Sequence, residues 1–99
     1  MPTLILGNVV AVHDRAGLDE YRRRVASTVE PFGGRFFLRG AEIDVLEGDW
    51  KPGHVSILEF PSADHARRWY RSPAYQELVA VRSGVDLELV LFDGEGDLA

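Results

Sequence analysis

Eighteen residues, Leu58 to Tyr75, constrain this fold more than any others; they read LEFPSADHARRWYRSPAY. An apolar run stops at Pro61. Ser62 then stands where a hydroxyl can accept from the free amides of a first helical turn. Ser72 repeats the arrangement ten residues on, with Pro73 behind it at a first helical position, where a missing N–H costs nothing. The segment therefore joins a strand, a short helix and a second helix, with Ala66, Trp69, Tyr70 and Tyr75 turned toward one interior.

The flanking sequence supplies the remaining elements. Thr3 to Val12 is β-branched and apolar and reads as a first strand. Asp14 suits an N-cap. Leu18, Tyr21, Val25, Val29 and Phe32 follow at helical spacing, with Glu20, Arg23, Arg24 and Ser27 off that face. Pro31 and Gly33-Gly34 end this helix. Arg35 to Leu46 reads as a second strand bent at Gly40, and Glu47 to Gly53 as a hairpin loop with Trp50 exposed. His54 to Phe60 is a third strand. Leu78, Val79 and Arg82 continue the inner face of the last helix, and Ser83-Gly84 stops it. Val85 to Phe92 is the fourth strand, and residues 93–99 form an acidic tail. The order βαββαβ predicts an α+β, ferredoxin-like domain spanning residues 1–99, with an antiparallel sheet in the order 4-1-3-2.

At 99 residues the chain supports one core. With 16 acidic residues against 11 basic, its net charge of -5 argues against binding nucleic acid through phosphates. The Arg22 to Arg24 and Arg67-Arg68 clusters read as solvated helix faces. There is no cysteine, hence no disulfide or thiolate site. No stretch resembles a signal peptide or a membrane span. These features lead us to expect a soluble cytoplasmic protein.

The strands carry a second message. Leu4, Leu6, Val10 and Val12 occupy one face of the first strand, and Ile5, Val9 and Ala11 the other. Leu87, Leu89 and Leu91 oppose Val90 and Phe92 in the fourth. Helices in this topology cover only one face, so the second should alternate to polar if it meets water. It does not, which predicts a homodimer packed sheet to sheet.

The motifs PFGGRF (31–36), RG (39–40), EGDW (47–50), EFPS (59–62) and WYxSPxY (69–75) resemble the family of unknown function DUF1330. The resemblance covers nearly the whole chain. It implies a dimeric α/β-barrel of two ferredoxin-like protomers, and no established activity, substrate or cofactor. Ala41 departs from it, since the family often continues RG with a second glycine.

Chemistry-bearing residues are few. His13 and His54 are expected at one end of the sheet, with Asp14 and Asp49 nearby. That donor set could hold a metal, but polar strand ends explain it more simply, and we assign neither metal nor cofactor. If Val12 or His13 pairs near His54, Asn8 falls opposite or close to Glu59 among apolar neighbours. A carboxylate there needs a partner such as Arg39, Arg82 or a second protomer, or else a polar cavity. Tyr21, Trp69 and Tyr75 read first as core aromatics whose polar tips could reach a pocket. Asn8, Tyr21, Arg39, Glu59, Trp69, Tyr75 and Arg82 are thus the candidate ligand-binding residues. No glycine-rich phosphate loop or nucleophile elbow is present. The expected function is binding of a small metabolite without catalysis. A cofactor-independent monooxygenase or isomerase and a purely structural self-association module are the alternatives.

Overall fold

The computed structural model describes residues 3–94. The elements are β1 (Thr3–Val12), α1 (Arg15–Val29), β2 (Arg35–Ala41), β3 (His54–Phe60), α2 (Ala63–Arg71), α3 (Pro73–Val81) and β4 (Val85–Asp93). A short 3-10 turn, Glu30–Phe32, follows α1. The sheet runs β2-β3-β1-β4, which read from the opposite edge is 4-1-3-2. All three pairings are antiparallel. The architecture is α+β and ferredoxin-like. Of the expected tail, Asp93 belongs to β4 and residues 95–99 lie outside the described region.

The caps work as their chemistry dictates. Asp14 accepts from the Gly17 amide at 3.1 Å. Ser62 accepts from the His65 amide at 3.2 Å. Ser72 serves both short helices: its Oγ donates to the Trp69 carbonyl at 2.7 Å and accepts from the Tyr75 amide at 3.2 Å. One buried hydroxyl thus closes α2 and opens α3, fixing the angle between them.

The three helices cover one face of the sheet. Ile5, Leu58 and Phe60 from the strands meet Val25, Val29, Ala66, Trp69, Tyr75 and Leu78 from the helices, all buried. Tyr70 departs from expectation: at 44% exposure it lies at the edge of this core rather than inside it. The opposite face is formed by Leu4, Leu6, Leu38, Ile57, Val90 and Phe92, placed together by cross-strand register. Among the described residues no helix covers them, and Leu38, Val90 and Phe92 are each about half exposed at 46%, 46% and 51%.

The structure differs from the expected strands at two points. β2 stops at Ala41 rather than Leu46. Gly40 takes a left-handed φ of 66° there, and the β2–β3 register shifts on both sides of Leu38. Ala41 already faces Val55, and β3 begins at His54, so a single β3 residue remains beyond that pair for the five residues 42–46. The β1–β3 register also differs. Val9, not Val12 or His13, lies opposite His54, which sets Asn8 against Val55 and Leu4 against Glu59. Asn8 and Glu59 are therefore four residues apart along the ladder and do not meet.

Candidate functional site

A cavity of about 350 Å³ lies between α1 and the sheet. Its origin is a local shortage of side chain. Where Ile5 and Leu58 fill the core near one end of the sheet, Gly7 and Ser56 follow on the same face and face each other across β1 and β3. A glycine inside a strand leaves room for something else to approach the backbone. Leu18, Val25 and Leu58 line the apolar part; Arg22, Arg39 and His54 stand exposed at the mouth. Ser56 Oγ accepts from the Gly40 amide at 3.1 Å, so the bend in β2 is tied to the same wall.

Tyr21 brings the most constrained polar group. Its hydroxyl lies 3.0 Å from that of Tyr75, and Arg82 Nη2 donates to the Tyr75 hydroxyl at 3.3 Å. Arg82 can only donate. Tyr75 can therefore accept from Arg82 and donate to Tyr21, so that the Tyr21 hydroxyl keeps a proton of its own. The Tyr21 hydroxyl is held well above the ordinary phenol range, first by burial and then by the neighbouring Tyr75, while Arg82 pulls weakly the other way. Tyr21 is thus a neutral hydrogen-bond donor, not a phenolate.

That shift has a stability consequence with a definite sign. Unfolded, Tyr21 would lose its proton near roughly pH 10. Folded, it keeps the proton beyond that point, so the native state binds more protons and stability falls as pH rises further. Below that pH the contribution is fully present. Tyr21→Phe should flatten the alkaline part of the stability–pH curve measured by urea unfolding. Parallel curves for the two proteins would show that Tyr21 does not titrate in this way.

The other expected site residues are placed as follows. Arg39 lines the mouth with its guanidinium 4.3 Å over the Phe36 ring, and Nη2 donates to the Arg22 carbonyl. Trp69 and Tyr75 are fully buried and do not line this cavity. Trp69 Nε1 already donates to Thr28 Oγ1 at 3.0 Å, so its polar tip is committed to the core. Asn8 is a strut on the opposite face: Nδ2 donates to Glu88 at 3.1 Å and Oδ1 accepts from the Gly53 amide at 2.9 Å. Glu59 is on that opposite face too, half-buried and paired with Arg35 at 2.8 Å. A pair this exposed contributes at most about 1 kcal/mol. His13 turns to Asp86 at 3.1 Å, away from His54. Among the described residues no three His, Asp or Glu side chains converge as a metal site would require. The missed residues are Gly7, Ser56 and Arg22; the one signal for them was a glycine within an apolar strand.

The sequence model described as a domain of unknown function, DUF1330, matches residues 2–94. The chain belongs to the DUF1330 family. Among solved structures it resembles the RPA0582 protein of unknown function from Rhodopseudomonas palustris, at 24% identity over 97% of this chain and 84% of that one, with a TM-score of 0.73. A dimeric ferredoxin-like protein of unknown function from Jannaschia sp. CCS1 matches at 8% identity, 95% and 100% coverage and a TM-score of 0.62. SnoaB, a cofactor-independent oxygenase from Streptomyces nogalater, matches at 19% identity, 98% and 94% coverage and a TM-score of 0.56. At these identities the likeness establishes the fold. A search of curated proteins finds no match.

Proposed function

We propose that this DUF1330 protein is a homodimer, joined through its bare sheet face, that binds a small and largely apolar molecule in the cavity beneath α1 without transforming it. The cavity carries the reading. It has the size of a small-molecule site, apolar walls and a few polar groups converging from separate elements. Tyr21 supplies a neutral donor inside, and Arg22 and Arg39 supply positive charge at the mouth. The fitting ligand has an aromatic or branched body and an oxygen acceptor. The half-exposed Val90 and Phe92 beside Leu4 and Leu6 support the dimer, because burying such side chains contributes roughly 1.5–3 kcal/mol each. The likeness to SnoaB is one of fold and supplies no reaction.

The test uses 2-naphthol as a fluorescent probe. It should bind the native protein, and Gly7→Leu should abolish binding while leaving a folded dimer. That variant is tolerable because a Cβ at Gly7 would lie 3.3 Å from the flexible tip of Leu89, which can give, and at an ordinary 3.9 Å from the Ser56 carbonyl oxygen. Light scattering should report twice the monomer mass, falling to one with Phe92→Arg. Unchanged naphthol binding in Gly7→Leu, or a native monomer, would overturn the respective half of the proposal.

A further inference from the structure

A second cavity, of about 340 Å³, opens between α2 and β4. Its floor is Ile5, Leu87, Leu89 and Leu91, and its rim carries three arginines, Arg67, Arg71 and Arg82. We propose that this groove is a separate binding site for an amphipathic carboxylate, a short-chain acid whose tail lies on the leucine floor and whose head group meets the arginines.

The charge pattern points to an anion. The chain has an excess of acid, and Arg15, Arg24, Arg35 and Arg68 each hold a carboxylate. Among the described residues Arg67, Arg71 and Arg82 hold none, as is true of Arg22, Arg23 and Arg39, but here three unpaired guanidinium groups border one groove. Arg68 reaches back one turn to Asp64 at 2.9 Å. One turn before Arg71 stands Arg67, a like charge at i, i+4, an arrangement that destabilises a helix unless an anion joins it. Arg82 adds an independent sign: its Nε is buried without a hydrogen-bond partner. A buried donor left unmatched is costly, and guanidinium is shaped to give two parallel hydrogen bonds to a carboxylate. The leucines explain why the anion should be amphipathic, since a bare anion would leave that floor wet. This reading is independent of the cavity under α1. Leu87 and Leu89 border both spaces, but the charged groups differ.

The experiment compares octanoate, 1-octanol and inorganic phosphate by isothermal titration and amide-shift mapping on the full chain. Octanoate should bind at least about tenfold more tightly than either of the others, the scale of a charge-assisted hydrogen bond. It should shift amides of α2 and β4. Arg67→Gln/Arg71→Gln should lose that preference, while Arg68→Gln keeps it; both changes are on an exposed helix face and should fold. The double variant should still bind 2-naphthol, which separates this site from the other cavity. Equal affinity for octanol would make the groove merely apolar. Equal affinity for phosphate would make it a bare anion site. Octanoate binding indifferent to the double variant would place the anion elsewhere. Any of the three overturns the proposal.

Discussion

Trp69→Ala should lower the unfolding free energy by about 3–5 kcal/mol, the range for deleting a fully buried large aromatic. Trp69 has no exposed surface. Its ring packs 4.3 Å from that of Tyr75 and 5.4 Å from that of Phe60, centroid to centroid. It thus links α2 to α3 and to β3. Its N–H is also the donor that reaches Thr28 on α1, while Thr28 Oγ1 in turn donates to the Val25 carbonyl at 2.7 Å. Alanine therefore removes packing at the junction of four elements and a buried hydrogen bond together. For a domain of this size the loss corresponds to a midpoint on the order of 20 °C lower, measured at fixed protein concentration because association shifts the midpoint. Trp69→Phe should fall between, keeping most of the packing and losing the N–H. A midpoint unmoved by the alanine change would mean that the ring is not the keystone of this core.

The helix caps were legible because their chemistry is local. Asp14, Ser62 and Ser72 accept from amides three residues on, and Pro73 sits where its lost N–H is harmless. Three further features were not legible, each for a physical reason. The run from Glu42 to Leu46 alternates like a strand, but alternation does not provide a partner; β3 begins too late to pair with it. The register of β1 on β3, expected with Val12 or His13 near His54, is offset by three or four residues, and by four in the pairing that sets Asn8 against Glu59. An even shift keeps every side chain on its own face, so the apolar pattern fits both registers equally well. Only the hairpin length distinguishes them, and an irregular loop does not announce its length. The false pairing of Asn8 with Glu59 follows from that shift alone. The cavity was hidden for a related reason. Gly7 becomes a gap only once Ser56 is known to face it from β3.

The residue that settles the register is Gly53, and Gly53→Ala should be the most damaging change in the hairpin. A methyl group there would collide with the carbonyl oxygen of Val9 and lie 2.9 Å from its carbon. Both are backbone atoms, so no rotamer change relieves the contact; β1 or the hairpin must move. The Gly53 amide also donates to Asn8 Oδ1, and Asn8 in turn holds Glu88 on β4. Displacing Gly53 therefore loosens the first rung of the β1–β3 ladder, Val9 against His54, and strands a buried side-chain amide. Overpacking of this kind costs typically 1–3 kcal/mol, and an unsatisfied buried polar group a similar amount, so a loss of roughly 2–5 kcal/mol is expected. Hydrogen exchange should localise it: amides of Val9 and His54 should lose protection, while those of α2 and α3 change only as far as global stability falls. His54 stands at the mouth of the cavity under α1, so naphthol affinity should fall with the same variant. Asn8→Ala should reproduce the polar part of the loss without the collision, and hence a smaller effect. If Gly53→Ala matched the native protein in stability and in exchange at Val9, the close approach of hairpin to β1 would not be what fixes the register. The four-residue offset would then need another cause.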